Sequence, residues 1–398
     1  MPDTPALEIL TGSERGAPVE SARVESTKVI EIHLGARPDG PAIGFERQAR
    51  SMYERLLAGL CAHGATARDV VAERVFLSDI GRQAPRLAAI RHEIYGDPGS
   101  GSPHPATTWV GQPPARSGLL CELQALALLG ADGDGLPSRN VEGLPAEGSG
   151  RIVDEDGVRH LFLSGVTGGL PGDRLDAASQ ASAAFLRAEA VLNRAGFSFR
   201  EVVRTWIFLA DIGGDYAALN RERRRFFTAR GIAPPPASTA IGGVPCPPDR
   251  ALGIDLRAIS GTAPPRVTAL HSPTMNEAPS YGSDFSRGMR IDLVDRSILH
   301  VSGTASIDTD GRVVHARDIA GQVERMLQNI EALLAGQEIG YDHVVSAVTY
   351  LKRSDDVETF RRVAARHGLP SGIPNTLCLA EVCRPEWLCE MEVTAVRA

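Results

Sequence analysis

What most constrains this chain is that one pattern occurs in it more than once. Gln48-Ala49 returns as Gln180-Ala181, and Val75-Phe76-Leu77-Ser78-Asp79-Ile80 returns as Ile207-Phe208-Leu209-Ala210-Asp211-Ile212, at one shared offset, 180 − 48 = 207 − 75 = 132. Two separated motifs with the same offset mean that a whole supersecondary unit is repeated. A third copy begins at Leu299-His300-Val301-Ser302-Gly303, which parallels Leu161-Phe162-Leu163-Ser164-Gly165, and carries Gln322 where the others carry Gln48 and Gln180. Each copy ends on an acid inside an apolar, strand-like run: Glu122, Asp255 and Glu390.

Within the first copy an apolar run at 29–34 predicts a strand. Ala49, Met52, Leu56, Leu57 and Leu60 then recur at helical spacing over 45–63, and Gly64 ends that helix. A strand at 70–80, a helix at 84–95 and strands at 106–111 and 119–128 complete a β-α-β-α-β-β unit. The fold class is α+β, with a four-stranded sheet and both helices on one face. The other face is bare, and three such faces in one polypeptide bury one another as an intramolecular pseudo-trimer with clefts between neighbours. The expected organisation is a disordered tail at 1–28, units at 29–130, 151–262 and 285–398, and Gly/Pro-rich linkers at 131–150 and 263–284.

Composition narrows the function. A net charge of −7 argues against nucleic acid as a partner, and no apolar run approaches the roughly 20 residues of a membrane span, so a cytoplasmic location is expected. Six scattered cysteines without a C-x-x-C pair read as buried thiols, and ten scattered histidines lack metal-ligand spacing, so no metal and no cofactor is expected. Nearly all cationic charge is arginine, Lys28 and Lys352 being the only lysines, which suits bidentate recognition of carboxylates.

The repeated unit resembles the reactive intermediate deaminase (Rid, or YjgF) family, a chorismate-mutase-like trimer with active sites between subunits. In deaminating members a Pro-Ala-Arg-Ser-type segment supplies an arginine for the substrate carboxylate. The aligned segments here are Pro105-Ala106-Thr107-Thr108, Pro236-Ala237-Ser238-Thr239 and Ile373-Pro374-Asn375-Thr376, and none keeps the arginine. Units two and three are more similar to the chorismatases, which cleave the enolpyruvyl ether of chorismate. That resemblance is carried by Arg204-Thr205-Trp206, Tyr216, Asn220, Arg223, Phe285-Ser286-Arg287, Ser302-Gly303-Thr304-Ala305-Ser306 and Cys383-Arg384 with Glu390.

A carboxyl group in an apolar strand has its pKa raised by desolvation, which suits a general acid, and Glu390 is the predicted one. Arg384, Arg204, Arg223 and Arg287 are expected to clamp substrate carboxylates, with Ser302, Gly303, Thr304 and Tyr350 lining the same cleft and Glu122 and Asp255 marking possible secondary clefts. The expected activity is hydrolysis or elimination of an enolpyruvyl ether on a small carboxylate, releasing pyruvate, in aromatic or secondary metabolism. The alternatives are Rid-type imine or enamine deamination releasing ammonia, and a non-catalytic binding or scaffold protein.

Overall fold

The repeated Phe-Leu-(Ser/Ala)-Asp-Ile motif is a strand end, a cap and a helix start. Asp79 accepts a hydrogen bond from the Arg82 amide (3.1 Å), and Asp211 accepts one from the Gly214 amide (3.0 Å), so each motif turns the chain from a sheet into a helix. The strand predicted at 70–80 therefore ends at Leu77, and the helix after it begins at Ile80. The computed structural model describes residues 7–8, 19–41, 44–97, 102–144, 148–169, 176–262 and 264–398.

Unit one contains β1 (Leu7–Glu8), β2 (Val19–Glu25), β3 (Val29–Ala36), α1 (Phe45–Ala62), β4 (Val70–Leu77), α2 (Ile80–Tyr95), β5 (Ala106–Gly111) and β6 (Cys121–Gly130). Unit two contains β7 (Ser138–Asn140), β8 (Ser149–Glu155), β9 (Val158–Thr167), α3 (Ala177–Arg194), β10 (Val202–Leu209), α4 (Ile212–Arg230), β11 (Ala237–Gly242), β12 (Val244–Pro245) and β13 (Leu252–Gly261). Unit three contains β14 (Arg266–Leu270), β15 (Gly288–Asp292), β16 (Ser297–Thr304), α5 (Ile319–Ala335), β17 (Val344–Leu351), α6 (Val357–Arg366), β18 (Asn375–Leu379) and β19 (Cys389–Arg397). The sheets run β1-β2-β3-β6-β4-β5-β12, β11-β10-β13-β9-β8-β7 and β14-β15-β16-β19-β17-β18. In each, one parallel pair (β4·β5, β10·β11, β17·β18) is joined by the second helix and the remaining pairs are antiparallel.

Each unit has more strands than the expected four, among them a hairpin partner in front of the first helix: β2, β8 or β15. The segment expected as a tail thus contributes β2, with Ala22 and Val24 fully buried. Most of residues 1–18 lie outside the described residues. The expected linkers also carry structure, since 131–150 holds β7 and the start of β8, and 263–284 holds β14. Val244–Pro245, from unit two, pairs with β5 and completes the sheet of unit one.

The helices cover one face of each sheet and build a separate core, for instance Met52, Leu56 and Leu60 of α1 against Ile32 and Leu34 of β3. The opposite faces meet each other. Ala22 and Val24 of unit one, Val203 and Ile259 of unit two, and Ile291, Ile298, Val345 and Val396 of unit three form one apolar cluster, so three faces that each sheet alone would leave wet are removed from water. β3 is buried along its whole length, as a strand covered on both sides must be.

The repeated glutamine pins the last strand. The amides of Leu120 and Leu388 donate to Gln48 and Gln322 (2.8 Å each), and that of Ala251 donates to Gln180 (2.9 Å). In every copy the tied residue directly precedes β6, β13 or β19, so a buried amide on the first helix fixes where the closing acid emerges.

Candidate active site

The acids that close the three copies do not occupy one position. Leu77 pairs with Cys121, Leu209 with Leu252 and Leu351 with Cys389, which makes Glu122, Gly253 and Glu390 equivalent. By the same register Gln124, Asp255 and Glu392 are equivalent, so the expectation that Asp255 corresponds to Glu390 is off by two residues. Side chains two apart on a strand share a face, which is why the sequence pattern conceals the shift.

Glu390 lies between units two and three. Its carboxylate sits over Gly303, where a Cβ would overlap Oε1, and among the described residues no group donates a hydrogen bond to it. Burial, and then repulsion from Glu392, raise its pKa to about 8 against the attraction of Arg204 and Arg287. At neutral pH the carboxyl therefore favours its protonated form. The pocket around it is lined by Tyr216, Arg223, Ser238, Tyr281, Phe285, Arg287, Cys383 and Trp387.

Arg223 and Arg287 are both buried, at 1% and 3% exposure, and neither forms an ion pair with a described residue. Arg223, in a run of charged residues that reads as a solvated helix face, instead projects inward from α4. It donates to Asn220 Oδ1 (2.6 Å) and lies 3.4 Å from Ser238 Oγ. Ser238 occupies the place where the family resemblance puts an arginine, so a guanidinium reaches that place from the helix rather than from the strand. Arg287 donates to the Asn276 carbonyl (2.8 Å from Nε). Aromatic rings separate the cations: Phe285 lies 5.7 Å from Arg223 and 5.5 Å from Arg287, and Tyr281 lies 5.5 Å from Arg287 and 5.2 Å from Arg384. Such faces attract guanidinium groups and hold them apart without neutralising them.

The other predicted residues are placed differently. Arg384 stands in the outer compartment of the cleft, with Arg221, Arg224 and Tyr281, and donates to the Gly311 carbonyl (2.7 Å). Arg204 does not reach the pocket. It bonds Glu392 Oε2 (2.8 Å) and Thr239 (2.6 Å), while Trp206 Nε1 (2.8 Å) and Arg74 (3.2 Å) hold the other Glu392 oxygen. Burial works against the charge of Glu392, yet Arg204 and Arg74 outweigh it and hold the carboxyl below the usual range. Arg204 is thus a joint between the units. Ser302 and Thr304 are seam residues: Ser302 accepts from the Ser238 amide (2.9 Å) and donates to the Ser286 carbonyl (2.6 Å), and Thr304 donates to the Ser302 carbonyl (2.8 Å). Tyr350 is fully buried in the core rather than in the pocket.

The other two clefts have diverged. Between units one and two a cavity of about 430 Å³ is lined by Arg91, His104, Thr107, Trp109, Cys246, Gly253 and Asp255. Arg91 corresponds to Arg223 at the repeat offset, 91 + 132 = 223, but pairs with Glu73. Asp255 accepts from the Gly165 amide (2.9 Å) and from Thr108. Between units three and one, Glu122 accepts from Thr376 (3.0 Å) and stands 3.9 Å from Arg37. Its pKa rises to about 7, chiefly through burial. Three residues that sequence reasoning did not weigh are central here. Arg91 was within reach of the offset, Glu392 of the two-residue period of a strand, and Tyr281 gave no signal in a Pro/Ser/Gly-rich segment.

Comparison with known proteins agrees with this architecture. The family model described as Endoribonuclease L-PSP matches residues 157–260 and again 275–397, together more than half of the chain. The chain belongs to that family. A RutC family protein of Saccharolobus solfataricus is 30% identical over 91 residues, which are 23% of this chain and 69% of that protein. A crystal structure of a chorismatase superposes with a TM-score of 0.62 at 17% identity, covering 94% of this chain and 99% of that one, so the likeness extends over all three units as a fold. The Rid-like, three-unit α+β architecture is that of the protein. No helix among the described residues is long and apolar enough to cross a membrane, and no group of three or more His, Cys, Asp or Glu among them could hold a metal ion.

Proposed function

We propose that the cleft between units two and three hydrolyses the enolpyruvyl ether of a small, chorismate-type carboxylate and releases pyruvate. The observation that carries this reading is a buried carboxyl, Glu390, whose burial favours its protonated form, in one pocket with two buried arginines that have no acid at ion-pair distance among the described residues. Isolated buried cations are costly, and a substrate carboxylate offers both of them charge-assisted hydrogen bonds.

Glu390 passes its proton to the terminal methylene carbon, the C=C electron pair forming the new C–H bond while cationic character develops at the ether carbon. Water adds to that carbon, and its surplus proton returns to Glu390. The resulting hemiketal then breaks its bond to the ring oxygen, yielding pyruvate and the ring alcohol. Arg223 and Arg287 orient the enolpyruvyl carboxylate, Phe285 and Tyr281 wall the pocket, and Arg384 lies where a second, ring-borne carboxylate would reach the outer compartment. Gly303 keeps room for the acid.

The chorismatase likeness supports this chemistry only as a fold. Incubating the protein with chorismate and measuring pyruvate tests it directly. Stoichiometric pyruvate from the wild type, at a rate that Glu390→Gln lowers by about 10²–10⁴-fold, is the expected result. Saturable binding of chorismate without pyruvate formation refutes the hydrolase reading in favour of a binding protein.

A further inference from the structure

The equivalent inner strands of the three units converge on a second cavity, of about 150 Å³, which is separate from the Glu390 pocket. Unit one supplies Arg74 and Gln124 to it, unit two Arg204, Trp206 and Arg257, and unit three His300 and Glu392. The cavity therefore lies on the pseudo-threefold axis.

Arg74, Arg204 and Arg257 face the cavity as cations. Of the acids lining it, Glu73 is taken by Arg91, Glu392 is shared between Arg74 and Arg204, and Asp255 is held by Thr108 and the Gly165 amide. Just outside the lining, Glu31 and Glu155, which share Arg296, attract Arg257 at longer range, so the wider shell is close to neutral. Arg257 has no carboxylate at ion-pair distance among the described residues. Its Nη1 lies 3.3 Å from His300 Nε2 and its Nη2 3.1 Å from His160 Nδ1, so both rings serve as acceptors and are neutral.

Donors outnumber acceptors. Arg204 Nη1 and Arg257 Nε are buried N–H groups with no acceptor among the described residues, and the two side chains are 2% and 3% exposed. Buried guanidinium groups with unmet donors need an acceptor beside them, an anion or solvent.

We infer that the axial cavity binds a single small oxyanion, of the size of inorganic phosphate, held between Arg204 and Arg257 on the neighbouring strands β10 and β13 of unit two. The ligand is distinct from the carboxylate substrate assigned to the Glu390 pocket, and the site stands whether or not that pocket is catalytic. Because Arg204 and Arg257 stand side by side only in the folded chain, the anion stabilises it by mass action.

Two measurements on the full chain test this. In the first, crystals are soaked in selenate, a tetrahedral oxyanion with an anomalous signal. One peak within hydrogen-bond distance of Arg204 and Arg257 is expected; a water-filled cavity, or selenate confined to the arginine rim at Arg221 and Arg225, overturns the proposal. In the second, equilibrium dialysis with radiolabelled inorganic phosphate should give one saturable site per chain and a rising thermal midpoint that chloride at equal ionic strength does not reproduce. Arg257→Gln should weaken phosphate binding at least tenfold. Unchanged binding to a folded Arg257→Gln protein overturns the assignment, and where that variant does not fold, the selenate map decides alone.

Discussion

The cleft between units one and two and the cleft between units two and three are assembled from corresponding strands and helices, yet they are chemically opposed. In both, an arginine on the second helix reaches the strand position that faces the neighbouring unit, Arg91 toward Thr107 and Arg223 toward Ser238. In unit one Glu73 lies beside that arginine and neutralises it. The corresponding residue of unit two, 73 + 132 = 205, is Thr205, which donates to Ser238 (2.9 Å) and leaves Arg223 charged and unmatched. At the closing strand the contrast reverses, with Gly253 in the first cleft where the second has Glu390. One cleft thus keeps a cation and an acid available to a ligand, whereas in the other Glu73 takes up the cation and the acid, Asp255, is held by Thr108 and the Gly165 amide. Duplication supplied the frame, and two substitutions divided the roles.

The comparison can be broken or sharpened by experiment. Glu390→Gln should lower the rate of pyruvate release by about 10²–10⁴-fold, the usual worth of a positioned acid. Gly303→Ala should approach that loss, because its methyl group would take the space of the carboxylate; full activity in either variant would remove Glu390 from the chemistry. Thr205→Glu should install the inhibitory pairing of unit one beside Arg223 and raise KM by about 10–100-fold, in keeping with the loss of one or two charge-assisted hydrogen bonds, with a smaller change in kcat; an unchanged KM would separate Arg223 from the substrate.

The third test is pH. A general acid with a pKa of about 8 requires kcat/KM to fall as pH rises through that value, about tenfold per unit above it. Linkage adds a signature in stability. Because the folded pKa lies above the unfolded value of 4.5, the folded state holds a proton that the unfolded state has lost, and stability declines from about pH 4.5 to about pH 8 before levelling off. Glu390→Gln should flatten that slope and raise the thermal midpoint at pH 8.5 while leaving it nearly unchanged at pH 4.5. The smallest effect is expected from Glu73→Thr, which frees Arg91. Titration calorimetry with pyruvate should then detect a new site of millimolar affinity in the first cleft, about 4 kcal/mol, without turnover, since Gly253 supplies no acid.

Much of this arrangement is legible in the residues. The offset of 132 relates units one and two, the Ser-Gly run at 302–303 with Gln322 adds the third, the helical spacing gives their helices, and an acid in an apolar run marks the closing strand of each. Other features are hidden for physical reasons. β2, Val-Glu-Ser-Ala-Arg-Val-Glu, buries only part of its surface and is half polar, so its alternation is faint beside that of the buried strands. The strands in the expected linkers are short pairs at sheet edges, where Gly, Pro and Ser are tolerated. Arg204 and Arg223 look alike in sequence, both being arginines in a recognisable motif. Only the position of Glu392, on the far side of a sheet from another unit, assigns one to the axis and the other to the pocket.

Val244–Pro245 carries a further consequence for how the protein comes into being. As the polypeptide leaves the ribosome, the first sheet emerges with the free edge of β5 exposed, and that edge stays uncapped until a two-residue piece of the second copy has been translated. An uncapped edge is a template for pairing with a neighbouring nascent chain. Until residues 244–245 have been made, the first sheet is therefore open to pairing along β5.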